Sequence, residues 1–83
     1  RRPKRVYRFL LELDPLLAGE VDLDRLVWEG TGEFQLEGSA ADVLRLMARM
    51  EAHGSFSDVR LPRISREAGT ERERFSLMGR YHD

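Results

Sequence analysis

Cysteine is absent from this chain, which excludes disulfides, thiolate metal sites and cysteine nucleophiles together. Proline is scarce, at three residues in 83, and aromatics make up only 8%. No stretch approaches the roughly 20 consecutive apolar residues that cross a bilayer, and no uncharged apolar run follows Arg1-Arg2 to make an export signal. A catalytic constellation is missing as well. His53 and His82 are far apart in sequence and have no second ligand at metal spacing. The many carboxylates lie in polar contexts that do not raise a pKa for acid–base work. Ser39 and Ser55 each have a capping or turn role available, and Gly30-Thr31-Gly32 precedes a strand rather than the helix a phosphate loop requires. No enzyme activity, cofactor or metal is expected.

What the chain does contain is one short pattern used twice. Phe34-Gln35-Leu36-Glu37-Gly38 and Phe75-Ser76-Leu77-Met78-Gly79 share the form Phe-x-Leu-x-Gly and lie 41 residues apart. In an extended segment the Phe, Leu and Gly fall on one face, because side chains alternate. A helical pattern and another strand-like run precede each copy, so the repeated unit reads as helix, strand, strand.

The first helix is marked by Val6, Phe9, Leu10, Leu13, Leu16 and Leu17 at three- and four-residue spacing. Pro15 implies either a kink or a stop near Leu13, with Gly19 ending the pattern in both cases. Residues 22–29 form the first strand, in which Leu23 and Leu26 share a face only if a bulge lies near Asp24-Arg25. Gly30-Thr31-Gly32 turns the chain into the second strand, Glu33 to Gly38. Ser39 is expected to cap a second helix with an apolar stripe of Val43, Leu44, Leu46, Met47 and Met50, ended by a left-handed Gly54. Phe56, Val59, Leu61 and Ile64 mark a third strand with a phase slip after Phe56, placed at a sheet edge by Pro62. Arg72 to Tyr81 is the fourth.

The fold class is therefore α+β: a two-layer αββαββ sandwich with a four-stranded antiparallel sheet and both helices on one face, a circular permutation of the ferredoxin-like sandwich. Pseudosymmetric pairing makes the two Phe-x-Leu-x-Gly strands the central pair and leaves the first and third strands as edges. Because Arg60, Pro62 and Arg63 blunt the third, the candidate partner interface is the first-strand segment Asp24, Arg25, Leu26, Val27 and Trp28. The alternative is that Asp22, Asp24 and Arg25 protect that edge equally well.

Charge is distributed unevenly. Arg1, Arg2, Lys4, Arg5 and Arg8 precede any acid, and removing those five from the 14 basic residues leaves nine against 15 acids, about −6 over residues 9–83. An acidic body repels phosphate backbones, and the outward sheet positions lack the aromatics that stack RNA bases, so no nucleic acid partner is expected. The basic start is either a solvated lead-in to the first helix or a juxtamembrane segment drawn to anionic headgroups. We divide the chain into a basic linker, 1–5, and a domain, 6–83. Since it begins without Met, it reads as a piece of something longer.

Several local strings resemble a known family. Phe34-x-Leu-Glu-Gly-Ser-Ala40, Met50-Glu-Ala52 leading to Phe56-Ser-Asp-Val59, and Arg72-Glu-Arg-Phe-Ser-Leu77 are similar to the C-terminal periplasmic domain of the PilN and GspL proteins, with the last string closer to GspL. Ala18-Gly-Glu-Val21 departs from the Pro-x-Gly-Val that the family often shows there. The resemblance covers roughly residues 6–81. It implies a single-span inner-membrane protein of a type IV pilus machine or type II secretion system. Its periplasmic domain would dimerise or pair with a similarly folded partner, PilO or GspM, without catalysis and without a small-molecule substrate. The other reading is a ferredoxin-like ligand-sensing regulatory module, which rests on analogy of fold.

Overall fold

The computed structural model describes residues 5–83, so the basic lead-in is described only from Arg5 onward. The elements are α1 (Arg5–Leu17), β1 (Val21–Trp28), β2 (Glu33–Ala40), α2 (Val43–Ala52), β3 (Phe56–Arg66) and β4 (Glu73–Tyr81). All strand pairs are antiparallel, in the order β1-β2-β4-β3. The two repeats thus occupy the central strands and pair with each other. Phe34 lies opposite Gly79, Leu36 opposite Leu77 and Gly38 opposite Phe75, so each copy's Phe is paired in register with the other copy's glycine.

That register explains why glycine ends both copies. A Cβ on Gly79 would stand 2.7 Å from Cζ of Phe34, the far edge of the ring, which reaches over the bare backbone. At Gly38 a Cβ would stand 2.2 Å from the Asp22 carbonyl oxygen, because the β1 bulge brings that strand's backbone inward. The bulge lies between Leu23 and Arg25, where the phase slip required it, and sets Leu23 opposite Gly38 and Leu26 opposite Leu36 on the core side.

Both helices contribute to the single core behind this face. Phe9 and Leu13 of α1 and Val43, Leu46 and Met50 of α2 join Phe34, Leu36, Phe56, Phe75, Leu77 and Tyr81 in one buried cluster. Phe9 sits at its centre, with ring centroids 4.6 Å from Trp28, 5.1 Å from Phe34 and 5.5 Å from Tyr81. Each such fully buried side chain contributes about 1.5–3 kcal/mol. Clasps at the surface tie remote segments to this core. Arg5 donates to the Gly30 and Tyr81 carbonyls at 3.2 and 3.1 Å and pairs with Asp83 at 3.3 Å, joining the start of α1 to the first hairpin and the end of β4. Arg72 does the same at the opposite corner, donating to the Ser39 and Glu20 carbonyls and pairing with Asp22.

Several expectations are corrected. α1 runs through Pro15 to Leu17 rather than stopping near Leu13. The N–H that proline lacks would have bonded the carbonyl of Leu11, on the exposed side where water serves instead. Ser39 does not cap α2. It lies in β2, buried, and receives the Arg72 guanidinium at 3.3 Å, while Asp42 is the cap, accepting from the Arg45 N–H at 3.1 Å. Gly54 is not left-handed: α2 ends at His53 with extended backbone, φ −85° and ψ 127°. Leu44 is 63% exposed, since the buried face of α2 is set by Val43, Leu46 and Met50. Ile64 also reaches solvent. The 10-residue α2 spans about 15 Å, whereas the 11-residue β3 runs about 36 Å and outruns its cover.

Ala substitution tests the two glycines in urea unfolding. Gly38→Ala is expected to cost about 2–4 kcal/mol, because the obstructing atom is backbone, and Gly79→Ala about 1–2 kcal/mol, because a ring can tilt away. Equal losses, or none, would contradict this account of the central pair.

Candidate functional site

The two edges of the sheet are unequally available. On β3 the register breaks twice, between Ser57 and Arg60 and between Arg60 and Arg63. Asp58 adopts a positive φ of 53° at the first break, and Pro62, which has no N–H to donate, lies within the second. On β1 the bulge is confined to Asp24, after which Arg25 to Trp28 pairs with β2 without interruption. On β3 the pairing is uninterrupted only from Arg63 to Arg66, a stretch that carries two arginines and follows directly on Pro62.

The five candidate interface residues divide by side-chain direction. Leu26 and Trp28 turn to the core side, opposite Leu36 and Phe34, and are half-buried. Trp28 is stacked under Phe9, and the Arg5 guanidinium lies 6.0 Å from its ring. Asp24 is held by an ion pair with Arg74 of β4. Arg25 and Val27 remain on the open face of the sheet, opposite Glu37 and Gln35. Val27 lines a shallow hollow there with Glu29, Glu33 and Met78.

Other polar groups on the open face already have partners. Arg80 pairs with Glu33 at 2.7 Å, and Gln35 donates to Glu37 at 3.2 Å and to the Ser76 hydroxyl at 3.1 Å. Arg25 and Glu29 have no ion-pair partner among the described residues. Hollows over β3 and β4 are open and polar, lined by Glu37, Arg63, Ser65, Arg74 and Ser76.

A second cluster, which sequence reasoning did not assemble, joins Glu12 of α1, His53 at the end of α2, Ser55 and Tyr81. The buried Tyr81 hydroxyl donates to Glu12 Oε2 at 2.8 Å, and His53 Nε2 lies 3.7 Å from Glu12. His53 Nδ1 accepts the Ser55 N–H at 3.2 Å, so both ring nitrogens are engaged. Hydrogen bonds from the Ser55 and Tyr81 hydroxyls hold the Glu12 carboxyl below its ordinary range, against a smaller opposing effect of burial. Burial, then the bond to Glu12, pushes Tyr81 up to about 12. The arrangement ties both helices to the last strand. Glu12 and Tyr81 are 69 residues apart, a distance at which spacing carries no signal. Among the described residues, no group of three metal-ligating side chains converges.

Comparison with protein-family models places residues 4–80 in the family described as PilN, fimbrial assembly protein. The chain belongs to that family. Comparison with curated proteins gives no match, and comparison with solved structures gives none either. PilN proteins serve an assembly machinery of pilus or secretion type. No helix among its described residues is long and apolar enough to cross a membrane.

The Tyr81–Glu12 bond gives stability a signature at both ends of the pH range. Tyr81 holds its proton more tightly when folded, so stability is fully present below about pH 10 and falls as pH rises toward about 12. Glu12 has the opposite sign, its contribution being lost as acid titrates the carboxylate. Tyr81→Phe should cost about 1 kcal/mol at neutral pH and flatten the alkaline limb of the urea-midpoint profile; an alkaline limb identical to that of the unmodified chain would refute the assignment.

Proposed function

We propose that this chain is a non-enzymatic assembly domain of the inner-membrane platform of a type II secretion or type IV pilus machine. It works by pairing with domains of its own kind: a second copy, or a partner of the GspM or PilO type. In this reading the fold is a circularly permuted ferredoxin-like sandwich, residues 6–83 form the domain on the periplasmic side, and residues 1–5 are the end of a linker from a membrane span. The string Arg72-Glu73-Arg74-Phe75-Ser76-Leu77 favours the secretion branch.

The observation that carries the proposal is the regular free edge of β1 in a member of the PilN family. An unpaired row of N–H and C=O groups is a template for another strand, and chains that do not use such an edge blunt it, as β3 is blunted here. A ligand-sensing role would call for an enclosed pocket, whereas the hollows described above are shallow and face solvent.

Sedimentation of this chain alone and mixed with a GspM- or PilO-type domain tests the reading. Association is expected in at least one case, weakened about tenfold or more by Val27→Asp, which places a charge on the open face and leaves the core intact. A chain that stays monomeric and binds neither partner overturns it.

A further inference from the structure

The edge of β1 is built to meet a second copy of itself. The Glu29 N–H donates to the Glu33 carbonyl at 2.8 Å, so in the alternation of an antiparallel ladder Val27 and Arg25 also bond inward to β2. The backbone groups of Leu26 and Trp28 therefore point outward, unpaired. A second β1 running antiparallel can bond these groups only by setting Leu26 or Trp28 opposite Leu26 or Trp28.

Charge selects among those registers. With Leu26 opposite the second copy's Trp28, Val27 lies on the twofold axis and Arg25 lies opposite Glu29. These are the two residues of the edge without an ion partner among the described residues. The pairing occurs twice, once on each side of the axis. Leu26 opposite Leu26 would face Arg25 with Val27 instead, and Trp28 opposite Trp28 would face Val27 with Glu29, so neither pairs the charges.

The flank of α1 fits the same axis. Its α2 side is marked by Glu12, near His53, and by the Pro15 carbonyl, which accepts from Arg49. On the helical wheel Val6 and Leu10 lie on the other flank, above β1, with Tyr7 and Leu11 beside them on the outer surface. These four are 40%, 43%, 62% and 59% exposed, respectively. A twofold through Val27 brings two α1 helices alongside each other with these apolar flanks facing, which gives the exposed side chains an occupant.

We infer that two copies of this chain pair through β1 about a twofold axis at Val27, forming one eight-stranded sheet with Arg25–Glu29 contacts across the axis and the α1 flanks packed above it. The inference rests on the assembly reading and names the second copy as partner of that edge.

The test is Val27→Cys in this otherwise cysteine-free chain. A non-hydrogen-bonded antiparallel pair holds its Cα atoms about 4.5 Å apart, within disulfide reach. Mild oxidation is expected to give a covalent dimer, whereas Thr70→Cys, on the loop after β3, is not. Arg25→Glu and Glu29→Arg singly should weaken association in sedimentation by about tenfold, and together should restore it. A dimer that Val27→Cys does not cross-link, or that the double swap does not restore, overturns the inference and leaves the assembly reading intact. So does a monomer that binds a GspM- or PilO-type domain. A monomer that binds neither overturns both.

Discussion

The constraint on which this structure depends is close approach at two glycines of the central strands, where a neighbouring ring or backbone fills the space that a side chain would take. Gly79 leaves room for the ring of Phe34, and Gly38 leaves room for the backbone of β1. Because Leu36 faces Leu77 between those points, the centre of the sheet is a pseudo-twofold pair rather than two unrelated strands. The rest follows from that pair. With β2 and β4 central, β1 and β3 are edges, the Phe side of the sheet becomes the core, and both helices must pack against that side. The arrangement leaves the Gln35, Glu37, Ser76 and Met78 side open.

This centre was legible because it is local and repeated. Alternation over five residues fixes a face, and a motif that occurs twice invites pairing with itself. The β1 bulge was legible for a related reason: Leu23 and Leu26 are both too apolar to leave in water, and one extra residue was the smallest correction. What was not legible depends on chain segments meeting from far away. Ser39 has the chemistry of a helix cap, but Arg72, which claims it, lies 33 residues on. The first N–H of α2 is satisfied by Glu73 Oε1 at 2.9 Å from β4, which no local cap rule anticipates. Gly54 failed as a left-handed terminator because the Phe56 N–H bonds the His53 carbonyl at 3.2 Å, closing the turn in another way.

The candidate edge shows the same division at finer scale. Composition marks residues 24–28 as unblunted, but it does not reveal which of them face outward. The bulge decides that. By taking up Asp24, which Arg74 then neutralises, it sends Leu26 and Trp28 toward the core and leaves Arg25 and Val27 outside. The chemistry of the edge is thus set by the bulge, with Asp24 paired across β2 to Arg74 of β4, and Glu29 acquires meaning only once Arg25 is known to share its face.

Inequality between the edges also determines what kind of assembly the fold permits. A sheet with two regular free edges can add strands on both sides, and heterologous contacts of that sort propagate into fibres. Here β3 offers a left-handed Asp58, a proline and two breaks in register, which confine its regular pairing to the arginine-bearing end from Arg63 to Arg66. In the proposed pairing through β1, the breaks, proline and arginines of β3 work against growth beyond the dimer, and the regularity of β1 makes the contact specific. Breaking the regularity of β1 would remove the edge that the proposed pairing uses, whereas smoothing β3 would open a route to polymers.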